Sequence, residues 1–156
     1  MNSTEISRED LLRNTDAILH VREGVLKKKI KSLYTRMAID DCYFLKQVWP
    51  EIRTSEEKPR EQVYLSTLQA NSGLPMSEIS QTVERMNNKG LIIWERGSSG
   101  TYIKLSDKGF REFRAQQDIM FGYVERIIRK LGKDHLREIV AALSELESVL
   151  ESELPE

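Results

Sequence analysis

The stretch NNKGLIIWERGSSGTYIKLSDKG, residues 87–109, decides how this chain folds. Around it the sequence reads as charged amphipathic helix. Within it, two short β-prone runs, residues 91–95 and 101–105, flank a Gly-Ser-Ser-Gly tip at 97–100. Apolar and β-branched or aromatic residues on either side of a glycine-serine turn predict a two-stranded hairpin. Lys89-Gly90 before it reads as a helix end, and Ser106-Asp107 after it as a helix start.

Upstream, Val63-Tyr64-Leu65 is short and β-prone. Ser66 with Gln69 three residues later has the spacing of a capping box for a short helix, which Asn71-Ser72-Gly73 stops. Leu74 and Pro75 open the next helix, expected over residues 75–89, with proline tolerated at the first helical position. Ile79, Val83 and Met86 recur at helical spacing and form its buried stripe. Two short helices joined by a glycine-containing turn give the helix-turn-helix pattern. A strand before them and a hairpin directly after them make it a winged helix-turn-helix. The expected class is mainly α, with a two-stranded β wing and flanking helices.

The flanks are helical by period. Ser7-Arg8-Glu9-Asp10 caps a helix start, and Leu11, Leu12, Ile18, Leu19, Val25, Leu26, Ile30, Leu33 and Met37 mark one apolar face. This predicts one long helix over residues 7–36, weakened at Gly24. A second helix spans 38–49 and ends at Pro50, followed by a polar loop over 53–62. After the hairpin a long helix runs from Ser106-Asp107 to about residue 131. Gly132 interrupts, and a last helix carries Leu136, Ile139, Val140, Leu143, Leu146, Val149 and Leu150.

Composition sets bounds. The chain has 156 residues, 39% hydrophobic and 31% charged, which suits one domain or one domain with a helical extension. Twenty-four Lys and Arg against 25 Asp and Glu give a net charge of -1, so any nucleic-acid affinity has to come from a local patch. The single cysteine, Cys42, excludes an intramolecular disulfide. No apolar run approaches the ~18 residues of a membrane span, and the polar, acidic N-terminus does not read as a signal peptide. A cytoplasmic protein with no membrane partner is expected. His20 and His135 are far apart in sequence, and no glycine-rich phosphate loop with lysine is present. No enzyme activity, metal or cofactor is therefore expected.

Residues 86–91, MNNKGL, with the following Ile92-Ile93-Trp94-Glu95, resemble the end of the recognition helix in MarR-type regulators. That family's pattern is Leu-Glu-Lys-Lys-Gly-Leu-Val/Ile. Residues 102–109, YIKLSDKG, resemble its second wing strand and the Leu-Thr-x-x-Gly start of its next helix. PadR-type regulators share a C-terminal dimerising helix, but lack the roughly 60 residues that precede the motif here. The resemblance implies N-terminal helices over 1–50 for dimerisation and a ligand cleft, a DNA-binding core over 62–106, and C-terminal dimerisation helices over 107–156, intertwined as one domain. It implies a bacterial-type homodimeric regulator of transcription, a repressor that binds double-stranded DNA and is released by a small-molecule effector. The chain departs from the family in its wing. The tip lacks the Asp-x-Arg element of many relatives, and its nearest arginine is Arg96. Over residues 62–105, Arg85, Lys89, Arg96 and Lys104 stand against Glu78, Glu84 and Glu95, a net charge of +1.

Opposite the buried stripe, the 75–89 helix carries Met76, Ser77, Ser80, Gln81 and Arg85. In a recognition helix, Gln81 suits adenine, Arg85 suits guanine or phosphate, and the serines suit either. Thr82 and Asn88 are lesser candidates. The plain alternative is a polar solvent face. Arg96, Ser98 and Ser99 are the wing's candidates, against an ordinary Gly/Ser hairpin tip. Lys27, Lys28, Lys29 and Lys31 are a solvated charge run or a flank for DNA backbone. The resemblance implies an effector cleft, for which Tyr34, Phe44, Trp49 and Phe113 are candidates; as aromatics at helical spacing they also suit a simple core. Cys42, beside Asp40 and Asp41, reads as an inert buried thiol more readily than as an oxidant sensor. Apolar stripes on the first and last helices suit a two-fold dimer whose recognition helices lie about 34 Å apart and read a pseudo-palindrome. The competing expectation is a dimeric winged-helix protein-interaction module with weak or no DNA binding.

Overall fold

The computed structural model describes residues 6–20 and 27–153. Helix α1 (Arg8–His20) starts at Ser7, whose Oγ accepts from the Asp10 amide at 3.1 Å, a side-chain cap on an otherwise unpaired N–H. Val25, Leu26 and Gly24 lie outside the described residues. The expected continuation to Arg36 is not regular helix. Residues 27–30 form a π turn and Lys31–Leu33 a 3-10 turn, and the chain leaves helical geometry at Tyr34 (φ -85°, ψ 72°). Gln116, 80 residues on, explains the exit. Its Nε2 donates to the Leu33 carbonyl (3.0 Å), and its Oε1 accepts from the amides of Arg36 (2.9 Å) and Met37 (3.3 Å). One buried amide thus takes up backbone groups that a continuing helix would have used.

Helix α2 (Ile39–Val48) buries Cys42, Leu45 and Val48, and Pro50 converts its end into a 3-10 turn, Pro50–Arg53. Trp49 is fully buried and donates its indole N–H to the Glu61 carbonyl at 3.0 Å. Strand β1 (Val63–Tyr64) passes straight into α3 (Leu65–Ser72). The capping box expected at Ser66 does not form. Leu65 is 6% exposed, and the helix begins on this buried residue, so Tyr64 takes the cap position without a side-chain bond. Gly73 (φ 67°) ends α3 in left-handed geometry that suits glycine.

Helix α4 (Met76–Asn88) follows Pro75, which caps it from just outside rather than occupying its first turn. Ile79, Val83 and Met86 are buried as their spacing requires. Strands β2 (Ile92–Gly97) and β3 (Gly100–Leu105) form the hairpin, and β1 joins on the far side of β3, giving the antiparallel order β1-β3-β2. The strands run further than expected, to the Gly97–Gly100 pair, so the loop is only Ser98-Ser99. Both serines keep negative φ, and Gly100 takes φ 123°.

Helix α5 (Asp107–Leu131) is tied to the hairpin at its start. Ser106 Oγ accepts from the Gly109 amide (2.8 Å) and donates to the Gly90 carbonyl (2.6 Å), while the Ser106 amide donates to the Leu91 carbonyl (3.2 Å). A Cβ on Gly109 would lie 1.9 Å from that Leu91 oxygen, so only glycine fits. Gly132 (φ 83°) separates α5 from α6 (Lys133–Glu153). By internal contacts the chain forms two compact units, Met1–Gln116 and Gln117–Glu156. The first holds a core that includes Leu45, Trp49, Ile52, Val83, Met86, Ile92, Ile103, Leu105 and Phe113. In the second, no residue of α6 is buried. No helix of the described residues is long and apolar enough to cross a membrane.

Candidate nucleic-acid interface

Helix α4 is held from behind and open in front. Its apolar stripe is sunk in the core, while Ser77, Gln81 and Arg85 are exposed and Met76 and Ser80 half-buried. The exposed set sits on successive turns of one face. This face ends in cations that are already engaged. Asp41 of α2 is 1% exposed, and the Lys89 ammonium donates to its Oδ2 at 2.6 Å. The Arg85 guanidinium lies 3.0 Å from its Oδ1, as an ion pair set off the hydrogen-bonding direction. A buried carboxylate is tolerable only when countercharges reach it, and these two do. They also complement the negative end of the α4 dipole.

The wing is braced at the middle of β2. The Asn87 amide oxygen accepts from the Trp94 N–H at 3.1 Å, satisfying an edge-strand donor that β3 does not use. Tyr102 donates its hydroxyl to Glu95 at 2.6 Å across the hairpin. That bond holds the Glu95 carboxyl below its ordinary range and raises the phenol, with Lys104 assisting Glu95. Tyr64 meets Tyr102 edge to face, with centroids 5.7 Å apart. Ser98 and Ser99 are exposed at the tip. Of the four cations in this region, Arg85 and Lys89 are on Asp41 and Lys104 lies 3.5 Å from Glu95. Arg96 is the one with no carboxylate partner among the described residues.

The four aromatic cleft candidates are not brought together around one cavity. Trp49 and Phe113 are buried in the core, at 0% and 2% exposure. Tyr34 and Phe44 are half-buried against it, and Phe44 also borders a cavity of about 300 Å³ between α2, α3 and α4. A separate cleft of about 570 Å³ is bounded by Arg36, Met37, Asp41, Lys89, Lys108 and Glu112. On its rim Arg36 makes a two-pronged bond to Glu112, 3.0 Å on each arm, and Lys108 donates to the Lys89 carbonyl at 2.8 Å. Lys27, Lys28, Lys29 and Lys31 are all exposed or nearly so. Cys42 is 3% exposed, and burial pushes its thiol up to about 11, with Lys46 opposing and Asp41 adding to the rise.

No family model and no curated sequence matches the chain. Solved structures do. A MarR family protein from Bacillus stearothermophilus superposes with a TM-score of 0.65 over 93% of this chain and 99% of its own, at 16% identity. AbsC, a MarR family transcriptional regulator from Streptomyces coelicolor, gives 0.63 over 94% and 97%, at 20% identity. The organohalide-sensing transcriptional regulator RdhR, in its 2,4-dichlorophenol-bound form, gives 0.58 over 95% and 84%, at 20% identity. This chain has the MarR fold.

Within this MarR fold, the residues that sequence reasoning missed are those that fix the site from outside it. Asp41 anchors the end of α4, Asn87 aims the wing, and Gln116 takes the chain out of the Lys31–Leu33 turn. Asp41 left one trace: an acid among the residues of a helix whose other buried members are Cys42, Leu45 and Val48. Asn87 and Gln116 left none, since their partners are backbone groups that no pattern marks.

Proposed function

We propose that this chain is a DNA-binding transcriptional regulator of the MarR family. In this reading it is a homodimer and a repressor, and it reads a pseudo-palindromic operator through α4. The observation that supports this best is the solvent face of α4. Ser77, Ser80 and Gln81 are neutral hydrogen-bonding side chains on a helix fixed from behind and followed by a braced wing. Gln81 pairs with adenine in the major groove, the serines bond bases or phosphate, and Met76 offers apolar contact to a thymine methyl. Arg96, Ser98 and Ser99 reach backbone phosphates beside it. Arg85 takes phosphate only by exchanging Asp41 for it.

Dimerisation uses apolar residues that each unit leaves in solvent, among them Leu11 and Leu12 of α1 and Val140, Leu143 and Val149 of α6. Release by a small effector is assigned to the cleft at Asp41. An occupant there meets Lys89 and the carboxylate that anchors α4, so its binding and the setting of α4 are linked. RdhR, of the same fold, binds 2,4-dichlorophenol.

Titration with the DNA upstream of its own gene, at low and moderate salt, tests the reading. Saturable, sequence-dependent binding is expected, and Gln81→Ala weakens it about tenfold, within the ~1–3 kcal/mol of one bidentate base contact. Affinity no greater than for random DNA refutes it. One observation favours a second reading, a dimeric winged-helix protein-interaction module: Asp41 already pairs with two of the four cations near the recognition helix. That reading predicts no sequence-dependent binding at either salt.

A further inference from the structure

We infer that Trp94 is a contact to the DNA backbone, its indole N–H donating to a phosphate on the wing side of α4. The inference rests on the regulator reading and adds to it a donor that carries no charge. The chain's two tryptophans are held differently. Trp49 is fully buried, and the Glu61 carbonyl satisfies its indole N–H. Trp94 is 38% exposed, and its indole N–H meets no acceptor among the described residues. An indole has an apolar body and one N–H that only donates. An exposed one suits a partner that sets apolar surface beside anionic oxygens. The sugar and phosphate of a duplex backbone offer both.

Position selects that partner. Alternation along β2 puts Trp94 and Arg96 on the face that carries buried Ile92, and buried Ile103 stands opposite Trp94 on β3. This face shares its core with α4. Glu95, Tyr102 and Lys104 lie on the other face and engage one another. On the α4 side, neither Trp94 nor Arg96 has a side-chain partner among the described residues. Asn87 fixes where the pair stands, because its Oδ1 holds the Trp94 backbone amide. At ~100° per residue, Asn87 shares one flank of α4 with Ser80, and Arg85 shares the other with Lys89. A duplex that takes Ser77 and Gln81 into its groove presents a backbone to each flank. One backbone meets cations already paired with Asp41. The other meets Trp94 and Arg96.

Acrylamide quenching of the full chain tests the contact, with duplex DNA from upstream of its own gene at low salt. In the free protein Trp94 should quench readily and Trp49 should not, and the duplex should shield Trp94. Trp94→Phe keeps an aromatic ring and removes the donor. It should bind about tenfold more weakly, as for one lost hydrogen bond to a charged group, with melting and circular dichroism unchanged. An indole displaces no counterion. The slope of log affinity against log salt should therefore stay at its original value in Trp94→Phe, whereas Arg96→Gln lowers it by about 1. Trp94 already shielded in the free chain overturns the proposal. Full affinity in Trp94→Phe, or a reduced slope in that variant, does the same. The quenching uses the unaltered chain and stands whether or not the variant folds. A duplex that binds with Trp94 still open refutes the contact alone, and one that does not bind refutes the regulator reading and the contact with it.

Discussion

A single carboxylate does much of the organising at the residue scale. Asp41 is sealed from water and Arg85 and Lys89 are each 44% exposed at the side chain, so the three are not equivalent. Removing Asp41 lets both cations turn to solvent. Removing both cations strands a buried charge. Arg85→Ala with Lys89→Ala should therefore cost about 3–5 kcal/mol, and Asp41→Asn only about 1–2 kcal/mol. Urea unfolding of the two variants checks the order, and the reverse order would remove the clamp from the account. Cys42 gives a second test. Burial raises its thiol from 9.0 to about 11, so the folded chain holds it neutral where the unfolded chain ionises. Stability is then unaffected below pH 9 and falls as pH rises towards 11. Iodoacetamide at pH 8 should label the native protein slowly and the urea-unfolded protein fast, as measured by mass spectrometry. The sequence disclosed Ile79, Val83 and Met86 because helical period reports burial directly. It was silent on the Asp41 clamp, because an ion pair to residues 44 and 48 positions away has no local signature.

At the scale of elements, the hairpin and its junction with α5 are the firmest parts of the sequence reading. The Gly-Ser-Ser-Gly tip and the Lys-Leu-Ser-Asp-Lys-Gly run that follows needed no distant partner to be read. Their reach was less legible. Strand ends at Gly97 and Gly100 depend on pairing, which extends a ladder past the residues that favour it. The same holds for Ser66, whose capping pattern yields to the need to bury Leu65, and for the segment after Leu33, which Gln116 draws out of helical geometry. Two glycines of α5 make opposite predictions. Gly109→Ala pushes a methyl into the Leu91 carbonyl and should cost about 3 kcal/mol or more. Gly122→Ala meets nothing within 4 Å in mid-helix and should gain about 0.5–1 kcal/mol. Thermal unfolding of the pair measures both signs, and a harmless Gly109→Ala would discredit the close approach.

For the whole molecule, the two units differ in how they hide apolar surface. The first encloses its core. The second leaves Leu143 at 59%, Val140 at 53% and Val149 at 50% exposed. Under the proposed dimer, Leu143→Glu with Leu146→Glu should halve the mass seen by light scattering and leave helical content near its original value. A mass unchanged at micromolar concentration would exclude α6 as the interface. The fold class was legible at this scale because the order of elements carries it. The cleft proposed for an effector was not: its lining includes Arg36, Asp41, Lys89, Lys108 and Glu112, brought together from distant positions, whereas the sequence drew attention to aromatics that pack in or against the core.

The engagement of Arg85 and Lys89 by Asp41 also bears on how such a protein would find its target. A recognition helix whose two cations are already paired adds little hold on arbitrary duplex, because that hold comes from displaced counterions. If this helix supplied most of the contacts, the protein would spend little time sliding, and its binding would change little with salt.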